Sequence, residues 1–280
     1  MANLPLHKAN QSGECGVSIR TIDAGLVKEP IEYSFQDSCY TMLLIKKGSC
    51  RMNIDFKEYC CSENEMLLIG FRQAYRFVET GEVEGMMIRI DSAFVDSTCR
   101  MVFGEYSLNM APFSVGEQQR AELEQIVGLL SPRMEQCSGA VSKLVVRAMV
   151  SVIISIVAEI IKGGLDSSGF TRRDIEVTVK FRNLLDKQIS SNRSPSSYAS
   201  QLHLSLLHLN EVLKSVTGMN VSKYIQNELI LCAKRMLVYS SRSIQEISND
   251  LGVDDYAYFS HLFSKATGVF PLAYRKKYLK

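Results

Sequence analysis

The stretch SIQEISNDLGVDDYAYFSHLFSKATGVFPLAYRKKY, Ser243 to Tyr278, decides how the C-terminal part of this 280-residue chain folds. Two segments with the apolar spacing of an α-helix are separated by a turn at Gly252. The stretch ends in a basic run, Arg275 to Lys277. A short helix, a tight turn and a second helix form the pattern of a helix-turn-helix unit.

The same pattern occurs earlier in the chain. Tyr198–Gly218, YASQLHLSLLHLNEVLKSVTG, can be aligned with Ile247–Gly268, ISNDLGVDDYAYFSHLFSKATG, with one extra residue in the second copy. The polar positions vary between the two copies, whereas the aligned pairs are mostly apolar. The aligned pairs are Ala199 with Ser248, Leu202 with Leu251, Leu204 with Val253, Leu209 with Phe259, Leu213 with Phe263 and Gly218 with Gly268. Two copies of one fold unit keep the same core positions while their surface residues differ. The pattern therefore predicts two helix-turn-helix units, at about 194–218 and 243–268.

Local signals set the ends of the predicted helices. The tight turns are placed at His203 and Gly252, and the second helices are predicted to open at Ser205 and Asp254, which are good N-caps. Gly218 and Gly268 suit a left-handed C-terminal cap. A long helix predicted over Val221–Leu237 joins the units, so their second helices could enter successive major grooves about 34 Å apart.

Charge is distributed unevenly along the chain. Residues 1–171 carry 16 Lys and Arg against 21 Asp and Glu, whereas residues 172–280 carry 16 against 9. The net charge is therefore −5 in the first part and +7 in the second. A basic excess in the part with two helix-turn-helix patterns is the footprint of a domain that approaches DNA phosphates, although charge alone does not decide it.

From about Asp174 to its end, the chain resembles the DNA-binding domain of the AraC/XylS family of bacterial transcription regulators. The family pattern IA…GF…YFSR.FK…G.SP..YR is matched by Ile247, Leu251, Gly252, Phe259, Phe263, Gly268, Pro271, Tyr274 and Arg275. His261 stands where the family often has Arg, and Ser264 where it often has Lys, which implies weaker binding to the DNA backbone.

The resemblance implies which side chains contact DNA. The residues expected to contact base edges are Leu207, Asn210, Glu211, Tyr256, Ala257, Ser260 and His261. Those expected to contact phosphates are Lys214, Lys265, Arg275 and Lys276. The predicted interface also includes Ser205, His208 and Asp255. Asn can bond adenine, Glu can accept a hydrogen bond from cytosine, and apolar side chains can meet a thymine methyl group. The alternatives are that Leu207 packs internally and that Glu211 is an ordinary solvated residue.

The region before residue 91 predicts short β-strands. Tyr40–Val78, YTMLLIKKGSCRMNIDFKEYCCSENEMLLIGFRQAYRFV, alternates apolar runs with turn candidates at Lys47-Gly48, Asp55 and 62–64, and another strand is predicted over Glu84–Ile90 after a Gly81 turn. The order of these strands resembles the small-barrel cupin sensor domain of many bacterial regulators. Asn64 stands where that pattern usually has Gly.

Metal-dependent chemistry is not predicted in this barrel. The chain has four His, at 7, 203, 208 and 261, and none lies in the strand region, so the commonest ligands of cupin enzymes are missing. Eight Cys include no CxxC pair, which disfavours a zinc site. No metal or other cofactor is therefore expected.

An effector pocket is one use of the barrel. Its candidate residues can bind anionic or sugar-like groups: Arg51, Arg72, Tyr75, Arg76 and Arg89. The alternative is that each of these side chains simply points outward into solvent.

Two helices are predicted between the strand region and the C-terminal part. The first has apolar residues near a 3.6-residue period from Gly116 to Leu130 and should stop at Pro132. The second, about Val141–Ile161, is apolar around most of its circumference and is predicted to be buried, either in its own domain or in a homodimer interface. Lys162–Phe170, rich in Gly and Ser, is predicted to be a flexible linker.

The expected fold class is α+β, in two domains. Residues 1–165 form a cupin-like sensor and dimerisation domain, and residues 172–280 form an all-α DNA-binding domain. The N-terminal residues show no secretory signal, so a cytoplasmic protein with reduced thiols is expected. The apolar helix is short for a membrane span of about 20 residues, because Arg147 and Glu159 interrupt it.

The predicted function is that of a sequence-specific transcription regulator of the activator type and not of an enzyme. Its partners would be duplex DNA, a second copy of the chain, RNA polymerase, and a small molecule or protein that controls the N-terminal domain. Two alternatives stay open at this point. One is a cupin-type enzyme, and the other is a DNA-binding regulator whose N-terminal domain only dimerises and binds no small ligand.

Overall fold

A computed structural model describes residues 16–22, 39–70, 73–80, 82–164 and 170–278. These residues divide into two compact units, one N-terminal to residue 166 and one that follows it. The first unit combines β-strands with helices, and the second is helical throughout its described part. Two predicted features, Arg72 and the turn at Gly81, lie outside the described residues, as does the predicted linker from residue 165 to residue 169.

The N-terminal unit contains two antiparallel sheets. Its strands are β1 Val17–Ile22, β2 Cys39–Lys47, β3 Ser49–Ile54, β4 Lys57–Ser62, β5 Glu65–Ile69, β6 Tyr75–Thr80, β7 Glu84–Asp91 and β8 Phe113–Ser114. They pair in the order β1-β7-β2-β5-β8 in one sheet and β4-β3-β6 in the other. The predicted barrel is thus not closed by hydrogen bonds over the described strands, which form two separate sheets.

Tight turns between these strands use the residues that the sequence offers. Asn64, in the place of the usual Gly, has a φ of 61° and adopts the left-handed conformation that Asn tolerates better than most residues. Arg120 stabilises the turn, because its Nη1 donates a hydrogen bond of 2.5 Å to Asn64 Oδ1. The turn is therefore made without glycine.

The larger sheet has an apolar core on each face. Met86, Ile88 and Ile90 of β7 pack towards the helices, whereas Met87 belongs to the core between the two sheets. This alternation is what the two-residue period of a strand requires. Aliphatic and sulfur-containing side chains fill the space between the sheets, among them Leu43, Met52 and Leu67.

Three helices complete the unit: α1 Ser97–Tyr106, α2 Glu117–Glu135 and α3 Ala140–Gly164. The expectation that α2 stops at Pro132 was wrong, since the helix includes Pro132 and continues to Glu135. Pro132 has no N–H to donate to the carbonyl of Gly128, so the helix loses that one backbone hydrogen bond and still continues for three more residues. Likewise α3 continues through Lys162 to Gly164, where a linker was expected to begin.

Helix α3 is amphipathic within the unit. Ile153, with none of its surface exposed, and Val157 pack with α1, α2 and the larger sheet, so one face of α3 is core. A second apolar stripe stays exposed, formed by Val141, Leu144, Val145 and Val152, with Leu129 exposed on α2. Among the described helices, α3 also has the length and the mean hydropathy, 2.4, that a membrane span needs. Core helices of soluble proteins meet the same criterion.

Most cysteines among the described residues form no disulfide. Cys39, Cys50, Cys60, Cys61, Cys99 and Cys232 form no disulfide. Burial raises the pKa of the Cys50 thiol to about 12, which keeps it protonated at neutral pH. Cys137 differs from the expectation of reduced thiols, because it is disulfide-bonded.

The C-terminal unit consists of α4 Arg172–Gln188, α5 Pro195–Gln201, α6 Leu206–Thr217, α7 Val221–Tyr239, α8 Ile244–Asp250, α9 Tyr256–Thr267 and α10 Pro271–Tyr278. Buried aromatic rings hold it together in two groups: Phe181 with Tyr198 and Tyr224, and Phe259 with Phe263 and Tyr274. Helix α7 ends two residues after its predicted end at Leu237. It lies between the helix pairs α5–α6 and α8–α9.

Candidate nucleic-acid interface

The two helix-turn-helix units share one backbone geometry. Their turns contain His203 and Gly252, with φ values of 57° and 68°, and both residues adopt the left-handed conformation. Their second helices, α6 and α9, end in left-handed caps at Gly218 and Gly268, with φ values of 73° and 79°. The predicted turns and C-terminal caps are therefore confirmed at all four positions.

The N-terminal caps of α6 and α9 are also equivalent. Ser205 accepts a hydrogen bond from the backbone N–H of His208, and Asp255 accepts bonds from Ala257 and Tyr258. The predicted opening at Asp254 was one residue early, because the extra residue of the second unit lies in the turn. Ser205 and Asp255, both predicted to contact DNA, thus use their side chains to cap the helices.

Helix α6 presents three of its predicted contact residues to solvent. Leu207 is 71% exposed, so it does not pack internally, and Glu211 and Lys214 are exposed as well. His208 lies beside them with its Nδ1 atom 3.9 Å from Glu211 Oε2. These four residues form the accessible face of the first unit.

Asn210 differs from the expectation that it reads adenine. Its Oδ1 atom accepts a 3.0 Å hydrogen bond from the backbone N–H of Val221, the first residue of α7. The side chain is half-buried and faces the connecting helix rather than the outer face of α6. Asn210 therefore stabilises the start of α7.

Helix α9 presents Tyr256, Ala257, His261 and Lys265 to solvent. Ser260 was expected beside them, but only 8% of its surface is exposed. Its hydroxyl oxygen is buried without a hydrogen-bond partner within the described part of the chain. One turn of a helix carries its side chains in all directions, and Ser260 lies on the inward side with Phe259 and Phe263.

The basic tail separates into inward-facing and outward-facing residues. Arg275 was expected to contact phosphate, yet its Nε donates to the carbonyl of Leu237 at 2.9 Å and its Nη2 donates to the carbonyl of Arg242 at 2.5 Å. Burial lowers the pKa of its guanidinium. Arg275 therefore ties α10 to the end of α7, while Lys276 and Lys277 stay exposed.

A joint between the segment before the first helix-turn-helix unit and the turn of the second unit was not anticipated from the sequence. Arg193, between α4 and α5, donates a hydrogen bond from Nη2 to the carbonyl of Gly252. A Cβ atom on Gly252 would lie 1.8 Å from the carbonyl oxygen of Ser190, so only glycine permits this approach. Beside the joint is a cleft of about 570 Å³, whose apolar lining includes Ile225 and Leu229.

The candidate effector residues of the N-terminal unit do not converge. Arg51 is exposed and pairs with Glu79 and Glu58, and Arg76 is exposed on β6. Tyr75 is buried between the sheets, with its hydroxyl 3.6 Å from Met87 Sδ. Arg89 is buried two residues after Met87 on the same face of β7. Of the four described candidates, only Tyr75 and Arg89 belong to the inter-sheet space.

Comparisons with known proteins agree on the C-terminal part of the chain. Residues 198–277 match the family model described as "Helix-turn-helix domain". The bifunctional transcriptional activator/DNA repair enzyme AdaA of Bacillus subtilis is 29% identical over 92 residues, which are 33% of this chain and 44% of that protein. The transcriptional activator RhaR of Pectobacterium carotovorum is 33% identical over 97 residues, which are 35% of this chain and 34% of that protein.

A solved structure is similar over more of the chain, at lower identity. An apo form of a ToxT variant from Vibrio cholerae matches 94% of this chain and 98% of its own, with 15% identity and a TM-score of 0.48. The chain spans less than half the length of the two curated relatives. The sequence similarity to them thus concerns the C-terminal unit.

Proposed function

We propose that this chain is a sequence-specific DNA-binding transcription regulator, because residues 198–277 match a helix-turn-helix family model and the C-terminal unit resembles the AraC-type DNA-binding domains. The observation that carries the proposal is the repeated geometry of the two units, with equivalent turns, caps and exposed helix faces. Helices α6 and α9 then enter successive major grooves. The relatives' names support a regulator of the activator type.

Exposed side chains divide between reading bases and holding phosphates. Leu207, Glu211, Tyr256, Ala257 and His261 are accessible to base edges, with His208 beside Glu211. Lys214, Lys265 and Lys276 are accessible to phosphates, which fix the position of the protein without reading sequence. Asn210, Ser260 and Arg275 are left out of this proposed set because each is held inside the unit.

A fragment of residues 172–280 is expected to bind duplex DNA by itself. It contains both units and the net charge of +7, so binding should weaken steeply with salt. A handful of phosphate contacts gives a log–log slope of about −3 to −6. Titration of a labelled duplex at several salt concentrations measures the slope. A fragment with a helical circular dichroism spectrum that binds no duplex at low salt would refute the proposal.

His261 and Lys265 are expected to respond differently to removal. His261→Ala should lose about 1 to 3 kcal/mol on a preferred duplex and little on random DNA, as for a base contact. Lys265→Ala, one turn further along α9, should weaken binding to both duplexes and reduce the salt slope by about one unit. Each variant is titrated on both duplexes at two salt concentrations. Equal, sequence-independent losses for both would show that His261 reads nothing.

For the N-terminal unit we propose a cupin-like sensor that also forms a homodimer. The exposed stripe of Val141, Leu144, Val145 and Val152 on α3 is the proposed interface, because a row of apolar side chains favours a covering partner. Tyr75 and Arg89 are the proposed effector contacts, since a buried Arg between the sheets can pair with an anionic group. The alternative is that a partner protein, and no small ligand, acts on the N-terminal unit to control the regulator.

The proposal assigns no catalytic step to the chain. The strand region contains no His, so the commonest ligands of cupin enzymes are missing there. A regulator that meets DNA and RNA polymerase acts in the cytoplasm of a bacterium, which is the proposed location.

A further inference from the structure

The structural repeat extends beyond the helix-turn-helix units. After α6, Thr217 Oγ1 donates to the carbonyl of Leu213 and accepts from the N–H of Met219. After α9, Thr267 Oγ1 makes the same two bonds, with Phe263 and Val269. The connections that lead into α7 and α10 are therefore built in the same way.

The residue that opens the next helix differs between the two connections. Asn220 and Phe270 are equivalent, because each offers its backbone carbonyl to a tyrosine four residues later at 2.9 Å, Tyr224 and Tyr274 respectively. Asn220 also accepts a 2.9 Å hydrogen bond from the N–H of Lys223 at its Oδ1 atom and so caps α7. A phenyl ring cannot accept such a bond, which makes Phe270 a poor residue for this position.

The Phe270 ring instead lies beside the recognition helix. Its centroid is 6.3 Å from that of the His261 imidazole, with the two rings at 67°, an edge-to-face arrangement. The ring is 56% exposed, so it does not belong to the core of the unit. His261 is the α9 residue that was assigned to base edges. The residue equivalent to His261 in the first unit is Glu211, which lies beside His208 of its own helix.

We propose that Phe270 is a positioning residue that holds the His261 imidazole in the orientation needed to read a base. This inference rests on the proposed DNA-binding function. An unsupported surface imidazole rotates among several rotamers, and binding must then order it. The edge contact with Phe270 restricts those rotamers before DNA arrives, so the ordering cost on binding is smaller. Position 270 thus lacks a side-chain oxygen that could cap α10, and its phenyl ring instead supports the reading of a base by His261.

The test uses Phe270→Asn in the full chain, a change that gives the second connection the residue of the first. The probes are a duplex enriched by the unmodified protein from a randomised oligonucleotide pool and a scrambled duplex of the same composition. We expect the affinity for the enriched duplex to fall roughly 2- to 10-fold, as for one side chain that must be ordered on binding. The affinity for the scrambled duplex should stay unchanged, and the Tm of the C-terminal unit should rise because α10 gains a cap.

Asn220→Ala is the matched control. It removes the cap at the equivalent position of the first connection and leaves the Phe270–His261 ring pair in place, so it should lower Tm and leave the ratio of the two affinities unchanged. Phe270→Leu keeps an apolar side chain without a ring, and it should reduce that ratio even if the Asn variant is poorly folded. A wild-type ratio for both Phe270 variants would overturn the proposal.

Combining Phe270→Asn with His261→Ala separates positioning from direct contact. If Phe270 acts through the imidazole, the double variant should bind the enriched duplex as weakly as His261→Ala alone. A further loss in that background would mean that the phenyl ring itself contacts DNA, and the positioning role would then be rejected. Failure of the proposed function is a different result, in which the unmodified protein binds neither duplex at low salt.

Discussion

Gly252→Ala is expected to lower the free energy of unfolding of the C-terminal unit by about 3 kcal/mol or more. Gly252 has a φ of 68°, and a left-handed backbone costs a residue with a Cβ about 1 to 2 kcal/mol. The new Cβ would lie 1.8 Å from the carbonyl oxygen of Ser190, so the two backbone segments must also move apart. Urea denaturation followed by circular dichroism measures the loss.

Gly218→Ala is the control for the backbone cost alone. Gly218 has nearly the same φ, 73°, but apart from its own helix and chain neighbours no heavy atom of the described residues lies within 4 Å of its hypothetical Cβ atom. Its loss should be about 1 to 2 kcal/mol. Equal losses for the two variants would mean that the close approach of the Ser190 carbonyl adds nothing to the cost of Gly252→Ala.

Ile153→Glu is expected to abolish cooperative unfolding of the N-terminal unit. Ile153 is fully buried among α1, α2 and the larger sheet. A carboxylate placed there without a partner loses its hydration and costs more than about 4 kcal/mol, a large part of the stability of a typical domain. Thermal unfolding of the full chain, with loss of the corresponding transition, provides the measurement.

Val152→Glu, one residue earlier on α3, separates the core from the proposed interface. Val152 is 48% exposed, so the charged variant should keep the unfolding transition of the N-terminal unit. If the apolar stripe is the homodimer interface, sedimentation should change from dimer to monomer. A Val152→Glu variant that remains a dimer, or an unmodified chain that is monomeric at tens of micromolar, would contradict the proposed interface.

The sequence alone was sufficient to predict the double helix-turn-helix pattern. Apolar positions such as Leu209 and Phe259 repeat at matched distances, because each unit needs the same core whatever its surface does. Glycines such as Gly218 and Gly268 have a local conformational cause that is visible in the sequence. Both signals arise from the local sequence of each unit, which explains why they predicted its helices and turns correctly.

Polar side chains were harder to place, because their partners are distant or belong to the backbone. The Arg275 side chain reaches carbonyl groups 33 and 38 residues earlier in the chain, and no local pattern announces that contact. Asn210 and Ser260 lie on helices whose periodicity identifies a buried face but does not say which borderline residue turns inward. The exposure of Leu207 likewise required the packed structure.

The contact of Arg193 and Ser190 with Gly252 has a consequence for the target DNA. It joins the segment before the first unit to the turn of the second unit, in addition to the connecting helix α7, and so restrains the rotation of one recognition helix relative to the other. B-DNA completes one turn in about 10 to 10.5 base pairs, so each inserted pair rotates one groove by about 35° relative to the other. A regulator with a flexible linker could follow that rotation. If both recognition helices bind DNA as proposed, the two groove segments must arrive with one helical phase, and the protein would then measure their spacing as well as their bases.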